Sequence, residues 1–299
     1  MLTAEDKQLL QAKGISEEQI NAQLENFQKG FPFLKLKAAA AISNGIMAPT
    51  DKECEQYIIE WEKYKANGKD ITKFVPASGA ASRMFKDMFE FLDADYNTPQ
   101  TTFEKLYFDR IEDFAFYSAL NNVCIANEGK DIKTLIADGA YKAVVANMLQ
   151  EKGLNYGQLP KGLLQFHSYK NGARTPIEEH LVEAASYASS QGKAEVHFTV
   201  SSEHKDLFKN LVNEVLPAYS STYNTEYTVT FSEQKPSTDT VAATMENTPF
   251  RVDGKLLFRP GGHGALIENL NDLSADIVFT VILYTLYGIS KKNCSTAGY

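Results

Sequence analysis

The stretch from Lys73 to Lys86, Lys-Phe-Val-Pro-Ala-Ser-Gly-Ala-Ala-Ser-Arg-Met-Phe-Lys, constrains the fold of this chain more than any other. Phe74 and Val75 make a short apolar run that ends in small residues and Gly79, after which Ser82, Arg83, Met84 and Phe85 restart a helical pattern. That order spells a strand, a tight turn and the first turn of a helix. Such a turn suits an anion: glycine lets the backbone come close, free N–H groups point outward, and the helix dipole favours negative charge. Arg83 and Lys86 add mobile positive charge. The competing reading is a plain α/β connection with solvated cations. Neither Gly-x-x-x-x-Gly-Lys-Ser/Thr nor Gly-x-Gly-x-x-Gly is present here, which disfavours a P-loop or a dinucleotide fingerprint.

Composition narrows the possibilities. With 299 residues, 43% hydrophobic and 11% aromatic, the chain can fill the core of one large domain or two modest ones. A formal charge of −8 argues against a general nucleic-acid binder, so any phosphate site must be local. Cys54, Cys124 and Cys294 are far apart and form no Cys-x-x-Cys pair, which argues against a disulfide framework or a zinc site. Met1 is followed by Leu-Thr-Ala-Glu-Asp-Lys, without the basic-then-apolar order of a secretory signal, so a reducing, cytoplasmic setting is expected. The longest apolar run, Ile277 to Tyr287, is short of the ~20 residues a membrane span needs, and no membrane partner is expected.

Residues 1–72 read as a helical prelude. Ser16-Glu-Glu-Gln19 and Thr50-Asp-Lys-Glu53 match capping boxes, and Gly30 and Gly68 follow the corresponding periodic runs. Tyr57, Ile58, Trp61 and Tyr64 fall at helical spacing, which predicts a core-facing stripe. Residues 73–299 read as an α/β domain with a helical insertion at about 88–158, broken near Gly129 and Gly139, possessing no clustered ionisable ligands and serving as a candidate lid. Beyond Leu159 the rhythm alternates: strands at 163–166, 194–200, 227–231 and 277–283, and helices at 175–190, 203–216 and 265–273. Asp253-Gly254 predicts a type I′ hairpin turn between Arg251-Val252 and Leu256-Leu257-Phe258.

Four later clusters carry polar chemistry. Lys161, in Leu159-Pro160-Lys161-Gly162, directly precedes a predicted strand, where its ammonium either reaches phosphates at the Gly79 turn or sits in solvent. Gln234, in Glu233-Gln-Lys-Pro-Ser-Thr-Asp-Thr240, both donates and accepts, as a nucleobase edge requires; the alternative is a polar turn with Thr238 as a cap. Gly261-Gly262-His263-Gly264 permits close approach of backbone to a flat ligand, with His263 able to stack or hydrogen-bond. Glu178-Glu179-His180 lies in a first helical turn, where dipole compensation is the simpler reading.

Taken in order, these segments resemble the sugar nucleotidyltransferases, especially the UDP-sugar pyrophosphorylase branch, and still more closely the family called domain of unknown function 4301. Ser78-Gly79-Ala80-Ala81-Ser82-Arg83-Met84 is similar to the small-Gly-x-Gly-Thr-Arg-Met signature, and Pro160-Lys161 to the separated Pro-Lys. Thr175-Pro-Ile-Glu-Glu-His180 resembles the Pro-Leu-Ile-Glu-His helix start. The resemblance implies a Rossmann-like, mostly parallel sheet and transfer of a nucleotidyl group from a UTP-type nucleoside triphosphate to a sugar 1-phosphate, with Mg²⁺ and release of pyrophosphate. It further implies that Ser78, Gly79, Ala80 and Ser82 cradle the triphosphate, Arg83 stabilises the leaving group, and Lys161 contacts the α-phosphate. Gln234, Thr238, Gly261, Gly262 and His263 would face the base. Two features depart from the pattern: no acidic residue follows Asp276, where the family's metal-binding Asp is expected, and the tail ending Lys-Lys-Asn-Cys-Ser-Thr-Ala-Gly-Tyr reads as a truncated or out-of-frame end, so this chain is expected to be inactive if truncated. The rival expectations are a non-catalytic nucleotide or nucleotide-sugar binding module and a glycosyltransferase of the same sheet type.

Overall fold

The strand Ile71–Pro76 is buried along nearly its whole length, as a central strand covered on both faces must be. The computed structural model describes residues 2–79 and 81–283. Ile71–Pro76 pairs in parallel with Lys193–Val200 on one side and with Ile277–Thr280 on the other. Ser189–Ser190 runs antiparallel to Lys193–Val200, and Glu226–Glu233 also pairs with that strand. The result is a mixed five-stranded sheet in a mixed α/β protein.

The chain groups into two compact units, Met1–Asp70 with Ser232–Asp276, and Ile71–Phe231 with the residues from Ile277 onward. In the second unit, helices Pro176–Tyr187 and Lys205–Tyr223 bury Ile177, Leu181, Phe208 and Val212 with Val75, Val196 and Phe198 of the sheet. Thr175 caps the first of these helices in a capping box with Glu178, and Pro176 opens it, as its sequence requires. Alternation along Ile71–Pro76 puts Lys73 on the same face as Val75. There the fully buried Lys73 ammonium is ion-paired to Glu183, lies 3.4 Å from the His180 carbonyl oxygen and sits 5.1 Å above the Tyr187 ring.

Residues Lys86–Asp93, Thr102–Asp109, Tyr117–Glu128, Ile132–Ala137 and Tyr141–Leu149 form a helical insertion between sheet strands, with its own core of Phe91, Phe108, Leu120, Ile132, Val144 and Met148. Its breaks fall at Gly129 and Gly139, whose φ angles of 70° and 75° favour glycine. In the first unit, helices Ala4–Lys13 and Glu17–Lys29 close over Val241 and Leu256 through Leu10, Ile15 and Ile20. A two-pronged Arg251–Asp6 pair, at 2.8 and 2.6 Å, fastens this core, and the Arg251 guanidinium holds the buried Asp6 carboxyl well below the usual carboxylate range. The predicted hairpin turn forms, with Asp253 and Gly254 both at positive φ.

Four sequence expectations need correction. Helix Asp51–Ala66 has its capping box but no buried residue: Tyr57 is 54% and Ile58 62% exposed, so the anticipated core stripe faces no core. Residues 163–166 are not a strand; Lys161–Leu163 is a 3₁₀ turn, and the strand follows at His167–Tyr169, paired with Gly172–Arg174. The helix expected at 203–216 runs to Tyr223 despite Pro217, ending on Asn224 at left-handed φ. The last strand, expected over 277–283, is half-buried and ends at Thr280.

Burial opposes charge on both partners of the Lys73–Glu183 pair. It lowers the Lys73 ammonium to about 8, whereas Glu183 is raised by burial but brought down to about 2 by His180 and Lys73. Because the folded Glu183 binds its proton more weakly than the unfolded chain, its contribution is full above the free carboxyl value of 4.5 and is lost as pH falls from there toward about 2. Urea titrations between pH 6 and 2.5 should show stability falling with acid, and Glu183→Gln should flatten that dependence while costing about 3–5 kcal/mol at neutral pH. A variant as stable as the parent at pH 7 would show the pair to be energetically idle.

Candidate functional site

The turn leaving the central strand is held from both sides. On one side Ala77 N–H donates to the Thr199 carbonyl at 2.7 Å, extending the parallel ladder by one rung. On the other, Lys161 N–H donates to the Gly79 carbonyl at 3.1 Å, and Ala81 N–H to the Leu159 carbonyl at 3.4 Å. Residues 159–161 are delivered there by the end of the helical insertion: Tyr156 N–H donates to Met148 O at 3.0 Å and Gly157 N–H to Leu149 O at 3.1 Å. Tyr156 is buried against Phe85 and Phe116, and its hydroxyl accepts from Gln165 N–H at 3.1 Å. Burial pushes that phenol up to about 12, so it remains neutral.

Gly162 anchors the same loop by packing. A methyl group there would lie 2.8 Å from the Phe208 ring and 3.3 Å from Ile177, closer than atoms tolerate. Gly79 is different: its φ is not left-handed, and a methyl group on it would meet nothing within 4 Å among the described residues. Neither backbone geometry nor packing requires glycine at 79. What the residue does is leave open space above the backbone, which is the property an anion site needs.

Beyond the turn, Ser82–Phe85 forms a 3₁₀ turn that leads into helix Lys86–Asp93, and neither start has a side-chain cap. Arg83 is exposed and Lys161 half-buried, and neither is ion-paired among the described residues. Arg83 and Lys161 are therefore uncommitted, whereas Lys86 pairs with Glu90 at 3.4 Å. The turn after the neighbouring parallel strand lies at the same carboxyl edge, where Pro76 is in register with Thr199. Thr199 is fully buried and its hydroxyl has no hydrogen-bond partner among the described residues, while Ser201 Oγ lies 2.8 Å from His204 Nδ1. Thr199 and Ser201 are hydroxyl residues at the end of an apolar strand, a position legible in the sequence although it names neither of them as a candidate.

The other expected contacts form a separate group in the first unit. With its amide oxygen and nitrogen assigned to satisfy both neighbours, Gln234 clasps the Gly261 peptide, accepting from its N–H at 2.8 Å and donating to its carbonyl at 3.1 Å, with Thr238 Oγ1 3.2 Å away. A methyl group on Gly261 would come within 2.7 Å of Ala265 and 2.9 Å of the Thr238 carbonyl, so close packing accounts for that glycine. Asn269 ties the following helix to the same loop, donating to Ser232 Oγ and the Glu233 carbonyl at 2.8 Å each. Gly262 is exposed, with free space above it. Ser78 stands in the turn itself. Ala80, the side chains of Ser82 and His263, and the 284–299 tail lie outside the described residues. Thus Ser78, Gly79, Arg83 and Lys161 gather at one strand edge, and Gln234, Thr238, Gly261 and Gly262 gather around one clasp.

Asp276, the nearest acidic residue to the position expected to bind Mg²⁺, does not fit that task. It precedes the strand Ile277–Thr280, and its carboxylate accepts from Asp70 N–H at 3.1 Å, at the amino end of strands whose carboxyl ends carry the turn. Among the described residues no group of three or more His, Cys, Asp and Glu is arranged for a metal. Glu178 and His180 are structural: the first caps its helix and accepts from Tyr219 Oη at 3.1 Å, and the second is buried edge-on to Phe198.

Fold and site together define a mixed α/β protein with an open strand–turn–helix backbone edge lined by two uncommitted cations. The chain belongs to the family described as domain of unknown function (DUF4301), whose profile matches residues 3–283. Comparison with curated proteins and with solved structures returned no match. Among the described residues, no helix is long and apolar enough to cross a membrane.

The two glycines separate packing from function. Gly162→Ala should destabilise the protein by about 1–3 kcal/mol, whereas Gly79→Ala should leave the melting temperature within about 2 °C of the parent. Calorimetry of both variants checks this; a strongly destabilised Gly79→Ala would mean that the open space is structural.

Proposed function

We propose that this chain is a nucleotidyltransferase-like protein that binds the phosphates of a nucleotide at the Gly79 turn. The observation that carries the reading is the conjunction at one strand edge of an uncapped backbone turn, unfilled space above Gly79, and the unpaired side chains of Arg83 and Lys161. In a chain of net charge −8, two cations without carboxylate partners on one edge give an anion a local site of favourable charge. Backbone N–H groups at a helix start are suited to phosphate oxygens, and an Arg fork matches phosphate geometry where a Lys supplies a point charge.

The corresponding reaction asks little covalent chemistry of the protein. A sugar 1-phosphate oxygen attacks the α-phosphorus of a UTP-type triphosphate, the α–β bridging bond breaks, and pyrophosphate leaves with the electron pair. Arg83 would neutralise charge growing on the leaving group, and Lys161 would hold the α-phosphate and the incoming phosphate. Gln234, Thr238, Gly261 and Gly262 are proposed, as an independent element, to face the base; Gln234 would have to release Gly261 to read a base edge. Mg²⁺ is the usual charge partner in such chemistry, but Asp276 does not fit as its anchor, and no step is assigned to the ion.

That misfit favours a second reading, a nucleotide or nucleotide-sugar binding module without transferase activity. The same titration separates the two. UTP or UDP-sugar should raise the melting temperature, and Arg83→Ala and Lys161→Ala should each weaken binding about tenfold or more with little change in the unliganded melting temperature. Pyrophosphate release with UTP, glucose 1-phosphate and Mg²⁺ would support transferase function; binding without release would support the module. No response to any nucleotide would dismiss both.

A further inference from the structure

Residues 26–50 hold three lysines, Lys29, Lys35 and Lys37, and neither aspartate nor glutamate, in a protein whose formal charge is −8. Within them, Phe31-Pro-Phe-Leu-Lys-Leu-Lys37 follows the end of helix Glu17–Lys29 and is neither helix nor strand. Its four large apolar side chains stand in water: Phe33 is 100% exposed, Leu34 85%, and Phe31 and Leu36 79% each. Apolar residues exposed singly are ordinary, but several together in one short segment mark a contact with a protein or a membrane. Lys29 is ion-paired to Glu25, whereas Lys35 and Lys37 are exposed and form no ion pair among the described residues. Every residue from 30 to 60 is exposed, so the segment stands off the core.

We propose that residues 31–37 are a peripheral contact for an anionic lipid surface, independent of the nucleotide site. Phe31, Phe33, Leu34 and Leu36 enter the headgroup boundary, and Lys35 and Lys37 meet the lipid phosphates. Charge selects this occupant. Lysines interleaved with apolar side chains carry positive charge to the level of the headgroups once those side chains insert, while their own stems lie along the apolar boundary. A purely apolar groove would instead strip water from two ammoniums and offer them no partner. The backbone is compatible with the same depth. Leu36 N–H donates to the Leu34 carbonyl at 3.0 Å, a local turn, and an irregular segment keeps its remaining peptide groups hydrated among headgroups, although it could not cross the hydrocarbon. Such a contact needs no membrane span. The acidic remainder of the protein opposes it only over about a Debye length, ~8–10 Å at ordinary ionic strength, and residues 26–50 place no carboxylate beside the lysines in the chain.

The test is flotation of the full chain with vesicles. Phosphatidylcholine vesicles carrying about one-third phosphatidylserine should bind the protein at low salt, and phosphatidylcholine alone should not. Phe33→Ser with Leu34→Ser, and separately Lys35→Glu with Lys37→Glu, should each weaken that binding roughly tenfold or more. The melting temperature should not change, because every side chain altered is already exposed. Should either variant fail to fold, a fluorophore on Ala38→Cys, in a Cys54→Ser, Cys294→Ser background with Cys124 buried, reads the same contact: its emission should shift to the blue with the anionic vesicles only. Binding to neither vesicle at low salt, equal binding to both, or binding that persists in either double variant would overturn the proposal. So would a soluble oligomer that ignores vesicles and is lost in Phe33→Ser with Leu34→Ser, since that outcome assigns the segment to a protein partner.

Discussion

Two backbone hydrogen bonds set the geometry on which the functional reading rests. Ala77 N–H to Thr199 and Lys161 N–H to Gly79 fix the exit of the central strand between a neighbouring strand and the end of the helical insertion. The first makes the turn a continuation of the sheet rather than a free loop. The second couples a lysine about eighty residues further along the sequence to the same carboxyl edge. The backbone of a turn assembled this way is preorganised by the packing of the insertion and the sheet, while the Arg83 and Lys161 side chains stay free to adjust.

Behind that edge the central strand carries an unusual burden in Lys73. An ammonium with no solvent exposure is tolerable only because Glu183, the His180 carbonyl and the Tyr187 ring surround it. Such a pair is weak evidence for stability in itself, since two apolar residues of similar volume often do better. Its physical effect is to fasten helix Pro176–Tyr187 to the strand in one register: sliding the helix by a turn would leave a bare buried charge. Together with Gly162, seated against Phe208 and Ile177, the pair aligns the sheet, its covering helix and the Lys161 loop.

Much of this was legible from residue order, and the exceptions have physical causes. Capping boxes at Thr3, Ser16, Thr50, Thr101 and Thr175 form as local chemistry dictates, and those at Ser16 and Thr50 are legible in the sequence. Local motifs of this kind do not depend on what packs nearby. The expected stripe of Tyr57, Ile58, Trp61 and Tyr64 fails because helical periodicity reports which residues share a face, not what covers that face. The strand expected at 163–166 fails because an apolar tetrapeptide does not distinguish strand from turn, and the close fit of Gly162 to Phe208 decides for the turn. At the site, the approach of Lys161 to the Gly79 turn is one of two readings that the residues leave open, whereas the placement of Thr199 beside Pro76 depends on strand register, which periodicity does not encode. The glycines were legible as a group, but their reasons diverge: packing for Gly162 and Gly261, open space for Gly79.

A crystal of the protein soaked in UTP tests the central claim most directly. The account predicts phosphate density over Gly79, within about 3.2 Å of the N–H groups at the Ser82–Phe85 start and of the Arg83 and Lys161 side chains. Density on another edge of the sheet, or an empty turn at saturating nucleotide in crystals where that edge is open to solvent, would contradict it.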